Sequence, residues 1–394
     1  MRGKQRRIDM KIVFNKQKMI GAIAPLMCAV SGKTDNKPTS GILMEAVLPN
    51  KLILTSFDLE KGIRLETEVD EVVEEGIFII NAQKFNQAIK IMDTTTLTLT
   101  VDEKLHAIIE YGKSVYQMNA LRGEDFPTIP KLTSNNSFTI GQKVLKEMLS
   151  KISFAMGVDD PRFVLNGCYC EINDQLIMFV ACDGFRLAKC ERTTKIVNTG
   201  NENSRLSYGF IIPNKTVNEI VRMISDKEDR EVEMFMTHRN MVMNIDGTIF
   251  FSRLVDGFYI DYERVLVKNH KIHIELPRAE LLSALERASL ITEERIIGEV
   301  RPNVKLNLED GLLKISAVSS AGSMYDEIPI EHEGENLLIA FNNRYLIDSV
   351  SSCGGENIKI DLSSPLSSII MTPSEKKENE EEEFMLLPVR MNNG

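Results

Sequence analysis

The 394-residue chain is 43% hydrophobic, enough for two or three domains with real cores, and at 26% charged residues it is not low-complexity over most of its length. Its formal net charge of −10 argues against a protein that holds duplex phosphate by being basic overall. No apolar run reaches the ~18 residues of a membrane span, and the basic start MRGKQRRID is not followed by the apolar stretch of a secretory signal.

The periodic pattern begins at Met10, which leaves residues 1–9 as a basic extension. NKQKMIGAIAPLMCAV from residue 15 has apolar residues near i, i+3, i+4 and i+7, so it predicts a helix with one buried face, bent or interrupted at Pro25. SGKTDNKPTSG (31–41) looks superficially like a phosphate loop. It lacks the upstream Gly and follows a helix, so it reads as a loop carrying Lys33 and Lys37. KLILTSFDLEKGIRLE (51–66) predicts a strand pair. GIFIINAQKFNQAIKIM (76–92) predicts a strand and then a helix, and LTLTV (97–101) alternates as a strand.

The same order then recurs. GQKVLKEMLSKISFAMG (from 141) and PRAELLSALERASLI (from 277) repeat the first helix; QLIMFVACDGFRLAKCE (175–191) and GLLKISAVSSAGSMYDEIPIE (311–331) repeat the strand pair. GFIIPNKTVNEIVRMI (209–224) and NLLIAFNNRYLIDSV (336–350) repeat the strand-helix unit, followed by EVEMFM and NIKIDL. Asn81, Asn214 and Asn342 stand where each second helix begins, as expected of N-caps. Their spacing of roughly 130 residues suits whole domains rather than solenoid repeats. The joints fall near 122–136 and 256–271. The repeat therefore predicts an α+β chain of three similar domains, spanning 10–133, 134–270 and 271–394.

The six helices hold a basic excess that the whole chain lacks: Lys16, Lys18, Lys84, Lys90, Lys143, Lys146, Lys151, Lys215, Arg222, Arg278, Arg287 and Arg344, against fewer acids. The bland explanation is a set of solvated helix faces. The functional one is a shared surface for an anion such as duplex phosphate, and its threefold recurrence favours it. SEKKENEEEEF (374–384) reads as a solvated loop before the final strand.

Enzyme signatures are missing: the sequence has no G-x-x-x-x-G-K-[ST], G-x-S-x-G or H-E-x-x-H. Asp183, Asp256 and Asp261 sit in D-G or D-Y contexts that favour turn formation over a catalytic carboxylate cluster. The six cysteines include no C-x-x-C, and the five histidines lack zinc spacing, so reduced thiols packed as small apolar residues are expected, with no metal and no cofactor. That usage suits a reducing cytoplasm.

Six segments carry a resemblance: ACDGFRLA (181–188), FVLNG (163–167), DGFYIDYERVL (256–266), EDFPTIP (124–130), AFNNRYLIDSV (340–350) and LLPVRM (386–391). From Met10 to Met391 the chain resembles the beta subunits of bacterial DNA polymerase III, the replicative sliding clamps. The resemblance implies three domains of the DNA clamp fold, with helices lining a central hole, antiparallel sheets outside, and a ring-shaped head-to-tail homodimer. It implies no catalysis by the chain itself. The implied partners are duplex DNA held topologically and without sequence preference, the polymerase III catalytic subunit, the clamp loader and other clamp-motif proteins.

By position, the resemblance implies a peptide groove of Leu165, Cys182, Gly184, Phe185, Arg186, Leu187, Ile260, Arg264, Val265, Asn342, Tyr345 and Ser368, completed by Leu386, Leu387, Pro388, Val389, Arg390 and Met391. Its walls are apolar, with Arg186 and Arg264 as donors at the edge. Lys37, Arg162 and Phe163 are implied in DNA-contacting loops, joined on the helices by Lys84, Lys146, Lys215, Arg222 and Arg278. Tyr116 and Met118 on a first-domain edge strand are implied to meet Leu290 and Ile291 across the dimer seam, with Glu293 and Glu294 opposite Lys113. The chain departs from the usual family pattern at Cys182 (commonly Thr), Phe185 (commonly His or Tyr), Ile260 (usually Pro) and the last three residues, 392–394. Two competing readings remain: a monomeric peptide-binding adaptor that never encircles DNA, and an enzyme with an unrecognised site.

Overall fold

The computed structural model describes residues 8–32, 37–130, 137–200, 205–227, 229–266, 268–293, 302–320 and 322–391. Its elements follow one order three times: a strand, a helix, five strands, a helix, three strands. The helices are α1 (Lys16–Leu26), α2 (Ala82–Ile91), α3 (Gln142–Ile152), α4 (Asn214–Met223), α5 (Arg278–Thr292) and α6 (Asn343–Ser352). The chain divides into two compact units, one from Met1–Ile140, Val197–Glu202 and Asp229–Leu254, the other from Gly141–Ile196, Asn203–Glu228 and Val255–Gly394. In each unit strands from different repeats pair, so a unit follows sheet continuity rather than the repeat.

The first unit is built on a 14-stranded sheet. Strand Lys61–Glu68 pairs with Thr248–Arg253, in the register Phe250↔Ile63 and Phe251↔Gly62. Gly62 is required there, because a Cβ would lie 2.2 Å from the Phe251 ring. The opening strand starts at Ile8, so two residues of the expected extension are sheet; Ile8 pairs with Asp102. The remaining extension, residues 1–7, and Lys33 lie outside the described residues. Asn15 caps α1 through Gln17 and Lys18 N–H, and Asn81 caps α2 through Lys84 N–H. Pro25 falls in the last turn of α1, where the α-helix gives way to a 3-10 turn over Met27–Ala29.

The second unit holds a nine-stranded and a four-stranded sheet. Asn342 caps α6 as expected, accepting from Arg344 and Tyr345 N–H. Asn214 does not cap α4. It is already the first helical residue, and its side chain donates to the Gly157 carbonyl at 3.1 Å and accepts from Asn218 at 2.7 Å. Pro213 precedes it in extended geometry and offers no side-chain acceptor.

The acidic run is the largest correction. Glu380–Leu386 is a strand, not a loop, and it pairs with Arg186–Thr193 in the register Lys189↔Glu383, Cys190↔Glu382 and Arg192↔Glu380. Basic residues nearby neutralise the glutamates. Lys189 Nζ lies 3.4 to 3.6 Å from Glu383, Glu191 and Glu381. Arg192 bridges Glu147 at 2.9 Å and Glu380 at 3.0 Å. Glu382 is buried against Lys151 of α3 and accepts from Gly354 N–H at 3.0 Å. A one-residue slip would turn this ladder's side chains to the opposite face.

A pH dependence follows. Burial pushes the Glu380 carboxyl up, but the Lys377 hydrogen bond and the charges of Arg192, Lys377 and Lys151 outweigh it and leave its pKa below the ordinary glutamate value. The folded state then binds fewer protons than the unfolded one between the two values, so stability rises with pH there. The contribution is complete above the unfolded value of about 4.3 and is lost as pH falls through the folded one. Thermal melts from about pH 5 to pH 3 should show a shallower decline for Glu380→Gln than for the wild type; superimposable profiles would remove Glu380 from the acid response.

Candidate functional site

The site is built around the turn after strand Leu176–Cys182. Asp183 Oδ1 accepts from Phe185 N–H at 2.9 Å and Arg186 N–H at 3.0 Å, the side-chain-closed turn expected of an Asp there. Gly184 adopts φ +92°, which favours glycine. Phe185 at the tip is 59% exposed.

Beneath the turn lies a buried cluster of Leu165, Met178, Val180, Cys182, Leu187, Leu266, Ile370 and Met385, with Val164, Tyr169, Tyr259, Ile260, Tyr262 and Val265 packed on it half-buried. The fold thus brings Leu165, Cys182, Leu187, Ile260 and Val265 of the implied groove together in or on one apolar cluster. Burial raises the Cys182 thiol pKa, so it stays a neutral packing group, with Sγ accepting from Gly184 N–H at 3.3 Å. Met178, Val180, Leu266, Ile370 and Met385 were not anticipated. Strand alternation places Met178 and Val180 on the face of Cys182 and was a usable signal. Met385 enters because it pairs opposite Leu187, which no local pattern reveals.

Arg186 is not a free donor at the edge. Its side chain is 11% exposed. Nε donates to Asp183 Oδ2 at 3.0 Å and Nη1 to Asp348 Oδ2 at 2.5 Å. The guanidinium carbon lies 4.2 Å from the Tyr345 ring centre and 5.0 Å from that of Phe154. Arg186 therefore bolts the turn to α6 and fixes Tyr345, whose ring is 6.3 Å from Phe185. Arg264, expected in the same role, is 87% exposed and paired with Asp261 at 2.8 Å.

The tail closes the site. Leu387 N–H donates to the Phe185 carbonyl at 2.9 Å, and Val389 N–H to the Ala340 carbonyl at 2.8 Å. Leu387 and Arg390 are exposed, while Pro388, Val389 and Met391 are half-buried. Leu386 and Ser368 are buried, as are Leu165, Cys182 and Leu187, so these five support the lining rather than form it. Residues 392–394 lie outside the described residues.

Among the helical bases, Lys84, Lys215 and Arg222 are exposed, as is Lys37 in its loop. Three have protein partners: Lys146 Nζ donates to the Ile224 carbonyl at 3.1 Å, Arg278 Nε to the Gly355 carbonyl at 3.0 Å and Arg222 Nη1 to Glu219 Oε1 at 3.3 Å. Phe163 is 76% exposed. Leu290, Lys113 and Glu293 are exposed, Tyr116 is partly so, and Ile291 is half-buried; Glu294 lies outside the described residues. Met118 is buried within its own unit, at 7% exposure, as is Ala120 two residues on. Its side chain is therefore not at a free surface. Among the described residues no three His, Cys, Asp or Glu side chains gather to hold a metal.

Models of the N-terminal, central and C-terminal domains of the DNA polymerase III beta subunit match residues 10–130, 139–261 and 263–390, in that order. The chain belongs to the DNA polymerase III beta subunit family, the sliding clamps. The beta sliding clamp of Pseudomonas aeruginosa is 28% identical over 366 residues, 92% of this chain and 96% of its own. That of Haemophilus influenzae is 27% identical, over 93% and 96%. A sliding clamp structure from P. aeruginosa, bound to griselimycin, superposes with a TM-score of 0.85 at 26% identity, covering 97% of this chain and all of its own. A Bacillus subtilis clamp superposes with a TM-score of 0.88 over 98% of this chain and all of its own, at 23% identity. The fold is that of a three-domain clamp with antiparallel sheets. Its function is that of a processivity subunit, not itself catalytic, and the monomeric adaptor is not favoured. No helix of the described residues is long and apolar enough to cross a membrane.

Proposed function

We propose that two copies close head to tail into a ring around duplex DNA, tether the polymerase III catalytic subunit, and recruit clamp-motif proteins through the groove below the 183–184 turn. The single observation that carries this reading is the ordered match of all three family domains along one chain. On it rest the domain limits 10–133, 134–270 and 271–394, loading by a clamp loader, and action in the cytoplasm.

Open sheet edges support the closure. Among the described residues, 114–119 of strand Ser114–Arg122 pair on one side only, with His106–Tyr111, and strand Gly322–Pro329 ends its four-stranded sheet. Exposed edges invite pairing with another chain. Val115 at 65% exposure on the first edge, and Leu290 at 77% and Tyr325 at 62% near the second, are apolar surface for such a seam. The exposed helical bases suit a lining that touches phosphate weakly and slides, since threading rather than affinity holds the ring.

The test is loading onto a nicked circle with a clamp loader, followed by high salt. Six to ten ordinary phosphate contacts lose ~10³–10⁵ in affinity over a modest salt rise. A threaded ring stays on the circle and leaves when the circle is cut. Prompt loss from the intact circle overturns the topological reading.

A further inference from the structure

One side chain joins the 157–166 loop to the groove turn. Arg162 forks onto Asp160, with Nε to Oδ1 at 3.0 Å and Nη2 to Oδ2 at 2.9 Å. The same Nη2 reaches the Asp183 carbonyl at 3.4 Å. This long hydrogen bond comes with close packing: a Cβ on Gly184 would meet Nη2 at 2.8 Å. The bare backbone of Gly184 is therefore the surface on which the guanidinium lies.

The loop is braced where Arg162 leaves it. Asn166 accepts from Asp160 N–H and donates to the Asp160 carbonyl, both at 2.8 Å. On the other side, the turn holds the groove: Gly184 N–H reaches Cys182 Sγ at 3.3 Å, and the Phe185 carbonyl takes Leu387 N–H at 2.9 Å. A displacement at Gly184 thus passes directly to the groove floor and to the tail.

We infer that Arg162 is a positioning residue for the peptide groove, and that an anion capturing its guanidinium, a phosphate group above all, loosens the turn and weakens peptide binding. This regulation rests on the groove reading proposed above. The Arg162 side chain is 57% exposed, so an anion in solvent reaches it. Its fork onto Asp160, whose side chain is 17% exposed, is the contact an arriving anion competes for. A guanidinium fork fits phosphate oxygens as well as it fits a carboxylate. Because coupling between two binding sites is reciprocal, bound peptide weakens the anion equally.

The experiment measures a labelled peptide with Leu and Phe anchors binding the intact protein by fluorescence anisotropy. Its three arms have equal ionic strength: chloride alone, added inorganic phosphate, and added duplex DNA. Wild-type affinity should fall about 5-fold or more in at least one anion arm; the arm that responds tells free phosphate from a phosphate backbone. Arg162→Ala should bind peptide weakly from the start and show no further response. Arg162→Lys keeps the charge but not the fork, and should behave like the Ala variant. A merely structural role would lower affinity in both variants and leave the anion response in place. Equal wild-type affinity in all three arms, or an unchanged response in Arg162→Ala, overturns the inference. Absence of any peptide binding by the wild type overturns the groove reading first and this inference with it.

Discussion

Glu382→Ala should destabilise the second unit by ~3–5 kcal/mol, measured as a lowered denaturation midpoint at unchanged slope. The Glu382 side chain is 4% exposed and that of Lys151 is 22% exposed, so removing one partner leaves the other charge poorly solvated. The substitution also strips Gly354 N–H of its acceptor. Lys151→Met alone should be at least as harmful, because it strands a carboxylate beside the buried thiols Cys190 and Cys353, whose pKa values burial already pushes up to about 12. The double variant Lys151→Met with Glu382→Leu should recover most of the loss, since apolar replacement of both members of a buried pair is often neutral. A cost below about 1 kcal/mol for Glu382→Ala would show that the pair is better solvated than its burial indicates.

Truncating the chain after Leu386 should lower the affinity of a Leu- and Phe-anchored peptide by ~100-fold or more, equivalent to about 2.7 kcal/mol. The tail makes two backbone hydrogen bonds, to the Phe185 and Ala340 carbonyls, and these hold the turn tip and the 337–341 strand beside the groove. A few buried anchors carry most of the energy in such sites, so losing one wall is costly. The cut belongs after Leu386, which is fully buried and pairs with Arg186 and Ile369. Removing Leu386 as well would mix core damage with loss of binding. Circular dichroism and size in solution should stay those of the full chain. Undiminished peptide affinity after this truncation would exclude the tail from the site.

The turn at Asp183-Gly184 was legible because its chemistry is local: an aspartate that closes onto N–H groups two and three residues ahead, then a glycine at positive φ. Arg186 was misread, although it lies two residues farther on. Its partners Asp348, Tyr345 and Phe154 come from elements far away in sequence, and no spacing rule announces them. The acidic run failed for the same reason. Four consecutive glutamates repel as an isolated peptide and look like solvated loop. As a strand they meet Lys189, Arg192 and Lys151, nearly two hundred residues or more upstream.

By itself the sequence determined the threefold order of helices and strands, the capped starts of α2 and α6, the turn residues and the basic bias of the helices. Those features depend on period, side-chain reach and charge within a few residues of one another. Tertiary structure alone decided which strands became neighbours. It thereby joined strands of different repeats into single sheets, packed Ile370 and Met385 against Cys182 and Leu187, and tied Arg186 to Asp348. Strand pairing is specified by matching faces over long loops, and its outcome appears only when all the faces compete for one interior.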